Sequence, residues 1–128
     1  MTKIYSYPYK QSYIPSMPVV EVTIKAMRGQ VTLPAIVDSG ADATMIPLPI
    51  LQQIGGRYVS PARLRGITGD SQLIKLYLVN IEVGGEVIHA IEAIATSDDE
   101  LILGRDVLNQ LVVTLHGTAE IVEILGRD

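Results

Sequence analysis

One carboxylate, Asp38, closes the apolar run Ala35-Ile36-Val37, and a hydroxyl at Ser39 and a glycine at Gly40 stand directly behind it. A charge at the end of an apolar strand is costly unless donors reach it or it shares a proton with a second acid. The Ser39 hydroxyl and the backbone of a tight turn at Gly40 are the donors this segment offers. Asp-Ser-Gly is also ordinary turn chemistry. With 7 Asp, 15 Ser plus Thr and 11 Gly among 128 residues, about 0.07 Asp-Ser/Thr-Gly triplets are expected by chance. The triplet therefore gains its meaning from its flanks.

Other chemistries have little to build on. The chain has no cysteine, which removes thiolate nucleophiles, thiolate-bound zinc, iron–sulfur clusters and disulfides. His89 alternates with Val87 and Ile91 on a strand pattern and His116 precedes Gly117 in a turn. Neither has a second ligand at metal spacing, so no metal and no cofactor is expected. There is no Gly-x-Ser-x-Gly elbow, and Gly66-x-x-Gly69 lacks the lysine and following helix of a phosphate loop.

Charge and composition narrow the partners. Ten basic and 14 acidic residues give a net charge of −4, and the positive charges are scattered, which argues against a nucleic-acid backbone as ligand. Phe and Trp are absent, and four of six tyrosines fall at Tyr5, Tyr7, Tyr9 and Tyr13, so the body of the chain has no base-stacking platform. No apolar window reaches the 18 residues of a membrane span, and the N-terminal segment has no apolar core of a secretory signal. A soluble cytoplasmic protein is expected. Apolar residues make up 48% and charged residues 19%, slightly oilier than a monomer of this size needs, so some apolar surface is expected to meet a partner.

The elements that must hold Asp38 read as short strands. Residues 1–18, with Pro8, Pro15 and Pro18 among spaced tyrosines, are expected to be an extended arm, and 19–128 one domain. The arm's expected role is packing or tethering, with a removable leader or a plug of the substrate cleft as the sharper alternative. Val20, Val22, Ile24 and Ala26 alternate with polar residues, the period of a half-buried strand. A second strand, 31–37, carries Pro34, which implies an edge or a bulge. Residues 47–54 fit a short helical turn ended by Gly55-Gly56. Strands at 58–65 and 73–83 bracket a hairpin tip at 66–71, and Gly84-Gly85 supplies a tight turn into a strand over 86–95. After the polar loop Ser97-Asp98-Asp99 come a short apolar strand at 101–104, a helix over 105–110, and a last hairpin flanking Gly117. The pattern is all-β, a closed barrel or sandwich, with a short helix after the Leu-Gly-Arg-Asp segment. The string Ile-Leu-Gly-Arg-Asp occurs at 102–106 and again at 124–128; with unlike flanks it reads as coincidence, not as a solenoid.

Two segments carry a resemblance. Ile36-Val37-Asp38-Ser39-Gly40-Ala41-Asp42-Ala43-Thr44 resembles the active-site signature of retropepsin-like aspartic proteases. Leu101-Ile102-Leu103-Gly104-Arg105-Asp106-Val107-Leu108 resembles their second hallmark, an apolar pair and a glycine leading into a short helix. The likeness spans roughly residues 19 to 125, with the two segments in the family's order. It implies an aspartic endopeptidase in which two carboxylates share one proton, one activating water while the other donates to the substrate carbonyl. With one such triplet per chain, the second Asp38 must come from a second copy, so the resemblance implies a homodimer with the site on its two-fold axis, acting on an extended peptide.

The family's roles carry over position by position. The resemblance makes Asp38 catalytic, gives Ser39 a hydroxyl that bonds across the dimer, and lets Gly40 line the cleft. It pairs Asp42 with Arg105 as a buried brace of the catalytic loop, and makes Gly66, Ile67, Thr68, Gly69 and Asp70 the tip of a flap over the substrate. Asp70 and fewer flap glycines depart from the viral pattern. So does the long terminal hairpin, which could build the dimer sheet in place of interleaved termini. The alternative function is a catalytically silent dimeric peptide-binding or scaffolding module of the same fold.

Overall fold

The computed structural model describes residues 2–65 and 71–127. The expected flap tip, Gly66 to Asp70, lies outside the described residues. The chain runs through β1 (Thr2–Pro8), β2 (Val19–Ala26), β3 (Gly29–Val37), β4 (Met45–Pro47), α1 (Leu48–Ile54), β5 (Arg57–Arg65), β6 (Ser71–Val83), β7 (Glu86–Thr96), β8 (Ile102–Leu103), α2 (Arg105–Leu108), β9 (Val112–His116) and β10 (Ile121–Arg127). The strand content and its arrangement bear out the all-β expectation. Besides the helix after Leu103-Gly104, the helical turn read at 47–54 is a seven-residue helix, opened by Pro47 and Pro49 and ended by Gly55 at φ 72°.

Seven strands follow the order β2-β3-β8-β4-β7-β6-β5, and a further pairing of β2 with β6 closes six of them into a barrel. Thr23, Ile24 and Lys25 of β2 meet Glu82, Ile81 and Asn80 of β6, and Lys25 Nζ reaches Glu82 at 2.6 Å. β5 is left outside the ring as one arm of a long hairpin with β6.

The period-two reading of β2 holds, since Val20, Val22 and Ile24 are fully buried. They meet Ile81 and Val83 of β6, Ile91 and Ala93 of β7, Leu101 and Leu103 around β8, and Leu51 and Ile54 of α1 in one continuous core. Pro34 lies where a strand proline is tolerated: β8 pairs only with Ile36 and Val37, so β3 is free on that side at Pro34.

A second, three-stranded sheet has the order β1-β10-β9. The arm is thus partly a strand: Thr2 to Pro8 pair antiparallel with Arg127 to Ile121. Tyr5 and Tyr7 face inward with Val122 and Ile124, and the Tyr5 hydroxyl donates to the Arg127 carbonyl at 2.5 Å. Burial pushes the Tyr7 phenol up. The chain then returns to β2 through a loop pinned by the mutual backbone bonds of Lys10 and Met17.

Glycines seat this sheet on the barrel. Gly84 and Gly85, at φ 57° and 74°, form the β6–β7 turn. A Cβ on Gly85 would overlap the Arg127 carbonyl, and one on Gly126 would overlap the Gly84 carbonyl. Only glycine allows this approach of turn and strand.

Candidate active site

β3 ends where its apolar run meets Asp38. The Asp38 amide donates to the Leu103 carbonyl at 3.1 Å and Ile36 donates to Leu101 at 2.9 Å, so the short parallel partner β8 fixes the strand end. The chain then folds back. Ala41 N–H donates to the Asp38 carbonyl at 3.1 Å, and Gly40 N–H donates to Asp38 Oδ1 at 2.9 Å. This is the turn chemistry of the triplet, used to hold a carboxylate. A Cβ on Gly40 would stand 3.1 Å from that oxygen, so glycine leaves the acceptor unobstructed.

Arg105, the first residue of α2, reaches across to this turn. Its Nη1 donates to the Ser39 carbonyl at 2.7 Å, its Nη2 pairs with the Asp42 carboxylate, and its backbone N–H donates to the Ala41 carbonyl at 2.9 Å. One guanidinium therefore spans two points of the loop, as its fixed fork permits. The expected pair forms, but it is not buried. The Asp42 side chain is 78% and that of Arg105 42% exposed, so among the described residues little covers the pair.

Three residues without an assigned role in the sequence reading hold the loop from within. Thr44 is fully buried. Its hydroxyl donates to Asp106 Oδ1 at 2.7 Å, its amide donates to Asp106 Oδ2 at 3.1 Å, and its Oγ1 accepts from Gly104 N–H at 3.1 Å. Val107 N–H adds a bond to Asp106 Oδ1 at 2.9 Å. A Cβ on Gly104 would lie 2.5 Å from the Ala43 carbonyl carbon, so glycine lets the two segments touch. The available signal was a lone polar Thr44 among apolar neighbours and an acid in the first turn of α2.

The structure thus brings Asp38, Ser39, Gly40, Asp42 and Arg105 into one cluster. An apolar cleft of about 810 Å³ opens nearby between Met45, Leu48, Leu73, Ile74, Ile94 and Ala95. Asp38 does not line it. Among the described residues, no group of three His, Cys, Asp or Glu is placed to hold a metal ion, and no helix is long and apolar enough to cross a membrane.

Comparison with known proteins agrees with this geometry. The family model described as "gag-polyprotein putative aspartyl protease" matches residues 20–110, which take in the barrel and both segments of the site. A retropepsin-like aspartic protease from Rickettsia conorii superposes with a TM-score of 0.67 over 98% of this chain and 94% of that one, at 12% identity. EIAV protease in complex with the inhibitor HBY-793 gives 0.58 over 73% and 86%, at 23% identity. The foamy viral protease-reverse transcriptase gives 0.51 over 73% of this chain and 12% of that chain, at 19% identity. No curated protein sequence matches the chain. The fold is that of the retropepsins, and with a family model matched over more than half its length the chain belongs to the gag-polyprotein aspartyl protease family.

Proposed function

We propose that the protein is an aspartic endopeptidase that works as a homodimer, each copy supplying one Asp38. The observation that carries this reading is the catalytic turn itself. A carboxylate at the end of an apolar strand is gripped through its own backbone by β8, tied at Oδ1 by the Gly40 amide, and present once per chain. Two such groups brought together across a two-fold axis cannot both ionise, so they hold one proton between them. The ionised partner draws a proton from water as that water attacks the peptide carbonyl, and the protonated partner donates to the carbonyl oxygen.

Ser39 and Gly40, both exposed in the single chain, are the residues that face the second copy and the substrate. The Ser39 hydroxyl bonds across the dimer while its carbonyl is held by Arg105, and Asp42 completes that brace. An extended peptide is the fitting substrate, because strand addition satisfies its backbone while the apolar cleft beside Met45 and Ile94 takes a side chain.

Cleavage of a peptide library by the wild type and by Asp38→Asn, across a range of pH, tests the reading. Hydrolysis that disappears in the variant supports it. Undiminished cleavage by Asp38→Asn refutes it, and peptide binding without cleavage by the wild type marks a silent binding module instead.

A further inference from the structure

One edge of β6 belongs to β7, and the other changes partner along its length. β5 covers that second edge as far as Arg57 opposite Leu78, and β2 covers it from Lys25 opposite Asn80. Between them only Val79 is left. β2 turns away there into Met27, while β5 arrives from Gly55 at the end of α1, and the seam opens into a notch of about 350 Å³. That volume falls within the roughly 300 to 1,000 Å³ of small-molecule sites.

The notch combines an apolar lining with a surplus of positive charge. Ala26, Met27 and Leu78 supply apolar surface, and Lys25, Arg57 and Asn80 supply N–H donors. Lys25 is already matched, with its Nζ 2.6 Å from Glu82. Arg28 is drawn off to the end of α1, where its Nη2 donates to the Gln52 carbonyl at 3.4 Å. Arg57 is exposed and, among the described residues, has no carboxylate within ion-pair distance. Glu92 shares its face one strand beyond Leu78 but does not line the notch. Asn80 Oδ1 accepts from Ala90 N–H at 2.9 Å, so the amide nitrogen is the end left to donate. One cation is thus unbalanced, in a chain whose net charge is −4.

We propose that this notch is a binding site for a small monocarboxylate with an aliphatic body, of about the size of octanoate. Charge complementarity sets the head group. A single surplus positive charge calls for a single negative one, and the planar fork of Arg57 matches a carboxylate with two parallel hydrogen bonds. A doubly charged phosphate would leave one charge unmatched beside Glu82. The lining sets the body: an aliphatic chain laid against Ala26 and Leu78 leaves water, and Met27, 87% exposed and flexible, can fold over it. The site is separate from the Asp38 turn and from the apolar cleft, sharing no residue with either. Strand β6 borders both places, with Leu73 and Ile74 in the cleft and Leu78 and Asn80 in the notch.

Octanoate titrated into the full chain, followed by backbone amide chemical shifts, tests the site. Binding should saturate at one per chain and move the amides of Lys25, Met27, Leu78 and Asn80. Acetate, which lacks the body, and octylammonium, which reverses the charge, should each bind at least tenfold more weakly. Arg57→Gln should raise the octanoate dissociation constant at least tenfold at an unchanged unfolding midpoint, and Arg57→Lys should recover part of the loss. Arg127→Gln, on the small sheet, should bind as the wild type does. No saturation, wild-type affinity in Arg57→Gln, equal binding of octylammonium, or shifts confined to Met45 and Ile94 of the cleft would each overturn the notch as the site. Peptide cleavage by the wild type and by Asp38→Asn is measured without octanoate, so the protease reading and the notch can fail independently.

Discussion

The hydroxyl of Thr44 donates a 2.7 Å hydrogen bond to Oδ1 of Asp106, 62 residues further along the chain. That bond, with the Gly104 amide on the same hydroxyl, joins the loop after Asp38 to the helix that braces it. Thr44→Val keeps the shape and removes the hydroxyl, leaving a buried amide and one carboxylate oxygen short of a partner. A loss of about 1 to 3 kcal/mol is expected, read as a lowered midpoint in thermal or urea unfolding. An unchanged midpoint would show that the hydroxyl contributes nothing to holding the loop.

Asp38→Asn should abolish peptide hydrolysis and leave the unfolding midpoint and dimer mass close to wild type, since size and one acceptor are kept for the Gly40 amide. Cleavage by Asp38→Asn at the wild-type rate would remove this carboxylate from the chemistry.

Arg105→Ala removes the contacts to Ser39 and Asp42 together. With the Asp42 side chain 78% exposed, the ion pair itself is worth under about 1 kcal/mol, well below the cost of breaking a buried pair. The main effect should fall on cleavage, through a loosened Ser39 carbonyl. Arg127→Ala, which loses a 3.3 Å contact with Glu86 from a side chain 78% exposed, should affect neither assay. Equal results for the two variants in melts and in cleavage would remove Arg105 from the brace.

Gly126→Ala and Gly117→Ala test the seating of the small sheet. A Cβ at 126 overlaps the Gly84 carbonyl, whereas one at 117 meets nothing within 4 Å. The first should destabilise by about 1 to 3 kcal/mol or more, as overpacking does, and the second by under about 0.5 kcal/mol. Comparable midpoints for the two variants would contradict the contact.

Glu120 gives a pH signature to the loop between β1 and β2. Hydrogen bonds from Ser16, then from Gln11, hold its carboxyl below the ordinary value of 4.5. A depressed native pKa contributes stability above the unfolded value and loses it as pH falls through the folded one. The 9–17 loop should therefore stay latched near neutral pH, and its amides should lose protection, relative to the intrinsic exchange rate at each pH, once the pH drops below about 4.5. Glu120→Gln should flatten that dependence, and a wild-type loop indifferent to pH would remove the latch.

The sequence was most legible where chemistry is local. The Asp38 turn, the Gly55 and Gly84-Gly85 reversals and the alternation of β2 each depend on a few adjacent residues, and all stand as read. The pairing of β1 with β10 was not legible. Its inward Tyr5 and Tyr7 do alternate, but the prolines around them suggested only an extended arm with no named partner, and the partner strand lies more than a hundred residues away. Thr44 and Asp106 were hidden for the same reason: each is unremarkable until the other is beside it. The exposure of Asp42 could not be read from its type, since burial of an ion pair depends on what covers it.

The pairing of Thr2 with Arg127 also orders events during synthesis. β1 finds its partner more than a hundred residues further along the chain, so the barrel can close from β2 to α2 while β1 still waits. Until β10 emerges, β9 has no mate on either side, and the small sheet cannot assemble on the Gly84-Gly85 turn. A nascent chain thus folds the Asp38 turn and its Arg105 brace before it can complete the small sheet.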